Sequence, residues 1–255
     1  MRFRPLLTVS TIACFYAGMA SAVPLSAQTF TNTALISILD NTTATPYPSK
    51  ISISGLNPSL TYSLSSVSLF KVSHTATADI DVLLSGPGNL QQTLLMSDNF
   101  GDLILNNVNL QFSDTASTVM GSSGDLSSAE KSAFSSSSFD SGGFGQPRVN
   151  NGTGIFRPSN SGGGDVFSIP APGGPYTNKP LSSFTASGAT LNGQDFSLFV
   201  RDDGALDMGQ IAGGWMLTFD PVSFETPEPG SFVLFLPIVC YAMRRIWNRK
   251  LKHRQ

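Results

Sequence analysis

The sequence has few cysteines and few histidines, and this scarcity excludes several kinds of chemistry. The two cysteines, Cys14 and Cys240, lie in apolar runs near the two ends of the chain. The region between these runs therefore has no disulfide, no thiol nucleophile and no thiolate zinc ligand. One of the two histidines, His74, lies in this region, and one imidazole does not complete a typical zinc shell.

Basic residues are scarce in the middle of the chain. All 17 acidic residues lie between Asp40 and Glu228, where seven basic residues accompany them, which gives this region a net charge of −10. Because phosphate binding needs a basic surface, we expect no nucleic-acid partner. The remaining basic residues lie at the two ends, which predicts ends that face a membrane around an acidic body.

The N-terminal end has the pattern of a signal peptide. Arg2 and Arg4 precede an apolar run, and the small residues Ala20 and Ala22 follow it. This order predicts a signal peptide over residues 1–22, export by the Sec machinery and cleavage after Ala22. An uncleaved membrane anchor is the alternative.

The C-terminal end combines a short acidic motif, an apolar run and basic residues. The run Ser231–Met243 is 13 residues long, roughly 20 Å as a helix, against a hydrocarbon core of about 30 Å. Extending the run to Trp247 brings its length closer to that of a membrane span, so a membrane helix is expected within residues 226–255. By the positive-inside rule, the basic tail is expected to be cytoplasmic; its residues include Arg244, Arg245, Arg249 and Lys250.

The order of these parts resembles the PEP-CTERM sorting signal of Gram-negative bacteria that produce exopolysaccharide. The resemblance covers about 30 residues, although the apolar run is shorter and the basic block longer than usual. It implies that Pro227, Glu228 and Pro229 form a processing motif recognised by an exosortase in the inner membrane. The body would then reach the cell surface or extracellular matrix. A permanent anchor is the alternative.

Between the two ends, short segments alternate between apolar and polar residues. Examples are residues 80–84, 196–201 and 215–220. Period-two alternation predicts half-buried strands, and Leu126–Phe134 is expected to form no more than one short helical turn. We therefore expect an all-β domain over residues 23–225, a jelly-roll-like antiparallel β-sandwich.

Two segments interrupt this alternation. The Ser/Gly-rich insertion at residues 121–147 is expected to be a mobile surface excursion, held loosely by a few phenylalanine and leucine side chains. The Gly/Pro-rich segment at residues 161–176 is expected to be a long connection.

Several phrases in the body resemble, in order, the P domain (homo B domain) of subtilisin-like proprotein convertases. They lie at residues 66–89, 93–102, 107–116, 154–160 and 191–219. The Ser-rich insertion and the sequence Gln194-Asp195-Phe196 depart from the family pattern. The resemblance implies a jelly-roll sandwich that often binds calcium and that stabilises a peptidase or acts as its binding accessory.

The residues that catalysis would need do not form a recognised motif. His74 could form a triad with Ser73 or Ser85 and with Asp79 or Asp81, but there is no G-x-S-x-G sequence. The P-domain resemblance places His74 at a structural strand end. Carboxylate pairs such as Asp79 and Asp81 would need a sugar cleft between them, which a sequence does not reveal. We therefore predict a protein without enzymatic activity.

Two acidic turns are candidates for calcium binding, because calcium prefers carboxylate and carbonyl oxygens. Neither turn has EF-hand spacing, and solvated turn residues are the alternative explanation. The candidate ligands are Asp98, Asn99 and Asp102 in the first turn and Asp202, Asp203 and Asp207 in the second.

These observations together predict an exported structural or adhesive protein of the cell surface or exopolysaccharide matrix. One alternative is a carbohydrate-binding module, with Tyr47, Tyr62, Tyr176 or Phe199 as sugar platforms. Another is an accessory domain that stabilises a secreted peptidase in trans.

Overall fold

The structure, a computed structural model, describes residues 25–142 and 145–222. The expected signal peptide with Ala20 and Ala22, the Pro-Glu-Pro motif, the C-terminal apolar run and the basic tail lie outside the described residues. Across the part of the chain that is described, no helix is both long enough and apolar enough to cross a membrane.

Within residues 25–142 and 145–222, fifteen strands form two sheets, and the prediction of an all-β body is confirmed. The larger sheet contains β1 (Gln28–Asn32), β2 (Ile36–Ile38), β4 (Thr61–His74), β7 (Ile104–Phe112), β8 (Phe134–Ser135), β9 (Ser138–Ser141), β10 (Pro147–Asn150), β11 (Thr153–Phe156), β12 (Thr185–Ser187), β14 (Gly209–Ile211) and β15 (Trp215–Pro221). The smaller sheet has the order β3 (Ser49–Ser52), β13 (Asp195–Asp202), β5 (Ile80–Ser85) and β6 (Gln92–Met96).

In the part of the chain that the structure describes, the helical segments are short. They are α1 (Ser128–Ala133), α2 (Gly188–Leu191) and the 3-10 turns Thr77–Asp79, Pro87–Asn89 and Leu181–Ser183. The strands predicted from alternation correspond to β5, β13 and β15.

The two sheets pack face to face around one continuous core. The alternating side chains of β5 and β13 point into it, and those of β15 meet them from the larger sheet. Trp215 is fully buried there, and its indole nitrogen donates a hydrogen bond of 2.9 Å to the hydroxyl of Ser49. Each large side chain buried in this way stabilises the fold by about 1.5–3 kcal/mol.

Two pairings depart from the expected antiparallel arrangement. Both β10 and β11 lie parallel to β7, whereas the other strand pairs among the described residues are antiparallel. The prediction of an antiparallel sandwich is therefore wrong at β10 and β11. The reason is that the chain leaves β7, forms the segment that contains α1, and returns in the direction of β7.

The Ser/Gly-rich insertion is part of the domain and not a loosely held excursion. It contains α1, β8 and β9, and the ring of Phe134 packs edge-on against that of Phe156 at 5.2 Å in the core. Helix α1 begins at a capping box: the Ser127 hydroxyl accepts from the Glu130 amide, and the Glu130 carboxylate accepts from the Ser127 amide. This reciprocal pair satisfies two backbone donors that the first turn of a helix leaves free.

The connection at residues 161–176 has no regular secondary structure, as predicted. It covers the outer face of the smaller sheet, where Phe167 and Ala171 pack on the buried side chains of Leu83, Leu94 and Phe199. We call these five side chains the outer-face cluster.

The expected sugar platforms are packing residues. Tyr62 and Phe199 are buried. The ring of Tyr47 lies 5.2 Å from that of Phe199, and the ring of Tyr176 lies 5.0 Å from that of Phe167. Tyr47 and Tyr176 remain partly exposed, whereas Tyr62 and Phe199 are buried in the sandwich.

Candidate acidic site

One end of the sandwich gathers carboxylates from separate parts of the chain. Asp81 is the second residue of β5, Asp202 ends β13, and Asp98 follows β6. Because β5 runs antiparallel to both β6 and β13, these three positions lie at the same end of the strands of the smaller sheet. Asp79 and Asp165 lie on neighbouring loops.

His74 and Asp202 form a buried pair at this end. The His74 Nε2 and the Asp202 Oδ2 lie 3.0 Å apart, and neither side chain reaches solvent. The other ring nitrogen, Nδ1, contacts the Ala76 carbonyl at 2.7 Å. Burial raises the pKa of Asp202, although His74 and the Asn41 amide act in the opposite direction.

The structure does not assemble the Ser-His-Asp triads considered from the sequence. The Ser73 hydroxyl accepts a hydrogen bond from the Asn107 amide, and the Ser85 hydroxyl donates to the Asn89 carboxamide. Both ring nitrogens of His74 already have partners, and neither partner is a serine.

A second group of carboxylates surrounds Asp79. Burial, followed by repulsion from Asp202, Asp207 and Asp203, raises the pKa of Asp79 to about 6. Gly204 allows this packing, since a Cβ atom at its position would clash with the Asp79 carboxylate. Asp207 also accepts a hydrogen bond of 2.6 Å from the Thr75 hydroxyl.

Asp81 is a further carboxylate at this end of the sandwich. Its side chain is buried, and neither oxygen has a hydrogen-bond partner among the described residues. The Arg201 Nε lies 4.0 Å from its Oδ2, which is too far for a hydrogen bond. Burial raises the pKa of Asp81 to about 7. Repulsion from Asp203 and Asp165 adds to this shift, whereas Ser97 and Arg201 oppose it.

The first predicted calcium turn is separated into three different environments. Burial and the charge of Asp165 raise the pKa of Asp98. The carboxamide of Asn99 is fully buried and engaged, because it accepts from the Ser97 amide at 3.1 Å and donates to the Met120 carbonyl at 3.1 Å. Asp102 is exposed.

The second predicted turn stays together. Asp202, Asp203 and Asp207 all influence the pKa of Asp79, so the structure brings them to one place. Within residues 25–142 and 145–222, however, no three carboxylate or imidazole groups converge closely enough to hold a metal ion as they stand.

The calcium ligands predicted from the sequence do not include Asp79, Asp81 or Asp165. Asp81 carried a signal, since it is a charged residue at the start of an otherwise apolar strand, IDVLLS. A buried strand seldom accommodates a carboxylate without a partner. Asp165 gave no such signal, because it follows three glycines in a connection without periodicity.

Comparison with protein families, with curated proteins and with solved structures finds no match to this chain.

Proposed function

We propose that the protein is exported and serves as a non-enzymatic structural or adhesive component of the cell surface or exopolysaccharide matrix. The observation that carries this proposal is the order of Pro227-Glu228-Pro229, an apolar run and a basic tail behind an acidic body. In this proposal an exosortase recognises the tail at the inner membrane after Sec-dependent export of the body.

The geometry around His74 supports a role other than catalysis. Its two ring nitrogens contact a backbone carbonyl and the buried Asp202. A general base needs a free nitrogen within hydrogen-bond reach of the proton that it abstracts. In this arrangement the imidazole joins the two sheets.

We also propose that the body is a jelly roll of the P-domain type. The two stacked sheets and the closing strand β15, with its buried tryptophan, support it. The parallel pairs of β7 with β10 and β11 are a departure from that pattern. A calcium ion at the acidic loops is also part of the proposal.

Among the alternatives, a carbohydrate-binding module receives less support, because the aromatic rings expected to stack on sugars are packed against one another. The accessory-domain alternative would require a partner peptidase whose stability depends on this chain. Copurification with such a peptidase would favour it.

The sorting half of the proposal is tested in the native host by replacing Pro227, Glu228 and Pro229 together with alanine. We expect wild-type protein in the surface fraction and the triple variant in the inner-membrane fraction. The control replaces the flanking residues Thr226 and Gly230 with alanine and should behave like wild type. The same distribution for all three proteins would contradict the proposal.

A further inference from the structure

The larger sheet carries a groove on the face that points away from the core. Residues of β15, β4 and β7 line it, together with the turn after β7 and the 3-10 turn Leu181–Ser183. Its volume is about 610 Å³, within the range of about 300–1,000 Å³ that is usual for ligand sites. We call it the hydroxyl groove, because its polar side chains include those of Ser63, Ser65, Ser66, Ser182 and Thr218.

A β-bulge in β4 increases the number of hydroxyls on this face. Thr218 of β15 pairs with Ser66 and Phe219 pairs with Leu64, so Ser65 is an extra residue between them. Successive side chains of a regular strand point to opposite faces, and a bulge interrupts this alternation. Ser65 and Ser66 both line the groove, and the Ser65 hydroxyl donates a hydrogen bond of 3.1 Å to the Thr218 carbonyl. The bulge therefore gives one strand two consecutive hydroxyls in the groove.

The carboxylate of Asp114 holds one side of the groove in position. It accepts hydrogen bonds of 2.8 Å from the Leu181 amide and 2.9 Å from the Ser182 amide. The side chain of Leu181 is fully buried in the core, which anchors the same 3-10 turn from within. The turn after β7 and the turn at Leu181–Ser183 are thus tied together without a ligand, and a site ordered in advance loses less entropy when it binds.

The side chains of the groove suit an uncharged ligand that is rich in hydroxyls. Among the described residues that line it, none is basic or aromatic, and Asp114 and Asp220 are acidic, so an anionic ligand is repelled. A serine or threonine hydroxyl can both donate and accept, as a sugar hydroxyl can. The Ser63 hydroxyl accepts from Thr185 at 3.0 Å and keeps its own proton for a ligand. Asp220 is exposed, and its carboxylate can accept a charge-assisted hydrogen bond.

We propose that the hydroxyl groove binds a segment of a neutral polysaccharide chain. Hydrogen bonds hold the chain, and this surface is separate from the rings of Tyr47 and Tyr176, which pack on the smaller sheet. A site built to hydrogen-bond hydroxyls discriminates against ligands that lack them. The inference rests on the proposed function and deepens it, because the groove is the contact through which the exported body adheres to the exopolysaccharide matrix.

The test uses the full chain in a detergent without a sugar headgroup and the exopolysaccharide of the native host, separated by anion exchange into a neutral and an acidic fraction. Affinity electrophoresis should show that wild-type protein binds the neutral fraction and not the acidic one. Thr218→Val should weaken binding by about threefold to tenfold, and Asp220→Ala by about tenfold or more. Thr31→Val is the matched control and should bind like wild type, because Thr31 lies on the same face, in β1, but outside the groove.

Two outcomes would overturn the inference. One is wild-type protein that binds neither fraction or the acidic fraction alone, and the other is equal affinity of Thr218→Val, Asp220→Ala and Thr31→Val for the neutral fraction. Thermal unfolding at the wild-type temperature should show that all three variants are folded. Sorting is measured separately by fractionation. Protein that reaches the surface without binding the polymer contradicts the groove alone, whereas protein that binds the polymer but stays in the inner membrane contradicts the proposed function alone.

Discussion

The imidazole of His74 and the carboxylate of Asp202 lie 3.0 Å apart, and both side chains are completely shielded from solvent. His74 ends β4 of the larger sheet and Asp202 ends β13 of the smaller sheet, so the contact joins the two layers of the sandwich. On the other side of the ring, Nδ1 lies 2.7 Å from the Ala76 carbonyl oxygen and 3.2 Å from the Ala76 amide nitrogen, so the imidazole is held at both of its nitrogens.

Breaking this pair should destabilise the domain strongly. We expect Asp202→Ala to lower the free energy of unfolding by about 3–5 kcal/mol, because it leaves a buried imidazole without its partner. Lys50→Ala is the matched control, since it removes an exposed pair with Asp195 and should cost about 1 kcal/mol or less. Urea unfolding measures both, and similar losses in the two variants would contradict this account of His74.

The capping box of α1 should contribute measurably to stability. Ser127→Ala removes the hydroxyl that accepts from the Glu130 amide, and we expect a loss of about 1 kcal/mol in urea unfolding. Ser128→Ala, one residue later on an exposed site, should change the free energy of unfolding by less than about 0.5 kcal/mol. If Ser127→Ala were as neutral as Ser128→Ala, the insertion would not depend on this helix.

The charge of Glu130 should make the same region sensitive to acid. Burial alone would raise the pKa of Glu130, but hydrogen bonds from Ser127 and the Gly121 amide outweigh it and lower that pKa. Because the folded pKa is below the unfolded one, the stabilisation is present above the unfolded pKa and is lost as the pH falls through the folded pKa. The stability advantage of wild type over Glu130→Gln should therefore shrink in acid. An advantage independent of pH would contradict the prediction.

Ionisation of Tyr47 at alkaline pH should weaken the attachment of the connection at residues 161–176. Burial, followed by the neighbouring Tyr176, raises the pKa of Tyr47 from 10.0 to about 12, and its hydroxyl donates to the Ser168 carbonyl at 3.0 Å. Since the folded pKa is the higher one, this stabilisation is complete below about pH 10 and is lost as the pH rises toward 12. Tyrosinate absorbance of the wild-type protein should include a phase near pH 12, and Tyr47→Phe should remove that phase. A late phase that persists in Tyr47→Phe would assign it to another tyrosine.

The connection should depend on Phe167 for its attachment to the sheet. Phe167→Ala removes a buried ring from the outer-face cluster, and we expect it to cost about 3 kcal/mol and to accelerate proteolysis between residues 161 and 176. Ile169→Ala, on the same connection but 91% exposed, is the control and should leave both measurements unchanged. Equal sensitivity of the two variants would show that the connection is held by other contacts.

Alternation between apolar and polar residues predicts β13 and β15, because a period of two is a local property of the chain. It also predicts β5 as a strand, although both faces of β5 are buried, since the connection at residues 161–176 covers the outer one. The insertion was harder, although the spacing of Ser127 and Glu130 is a capping-box signature and the turn at Leu126–Phe134 was anticipated. Its attachment depends on Phe134 meeting Phe156, a contact between segments that no local pattern specifies.

The acidic site also depends on contacts that a local sequence pattern does not specify. The carboxylates at Asp202, Asp203 and Asp207 could be grouped from the sequence because they share one turn. The burial of Asp81 could not be predicted from the sequence, because it depends on the register of β5 with β13 and on the connection that covers that side of the sheet. Asn99 resembled a ligand by type, but its carboxamide is engaged with the backbone.

The most direct test of the account is the intact mass of the protein recovered from the surface fraction of its native host. We expect a chain that begins after Ala22 and ends near Pro227 to Pro229, with or without an attached group at its new C-terminus. A mass that extends to Gln255 would show that the tail stays in place as an anchor, and would contradict the proposal of sorting and release.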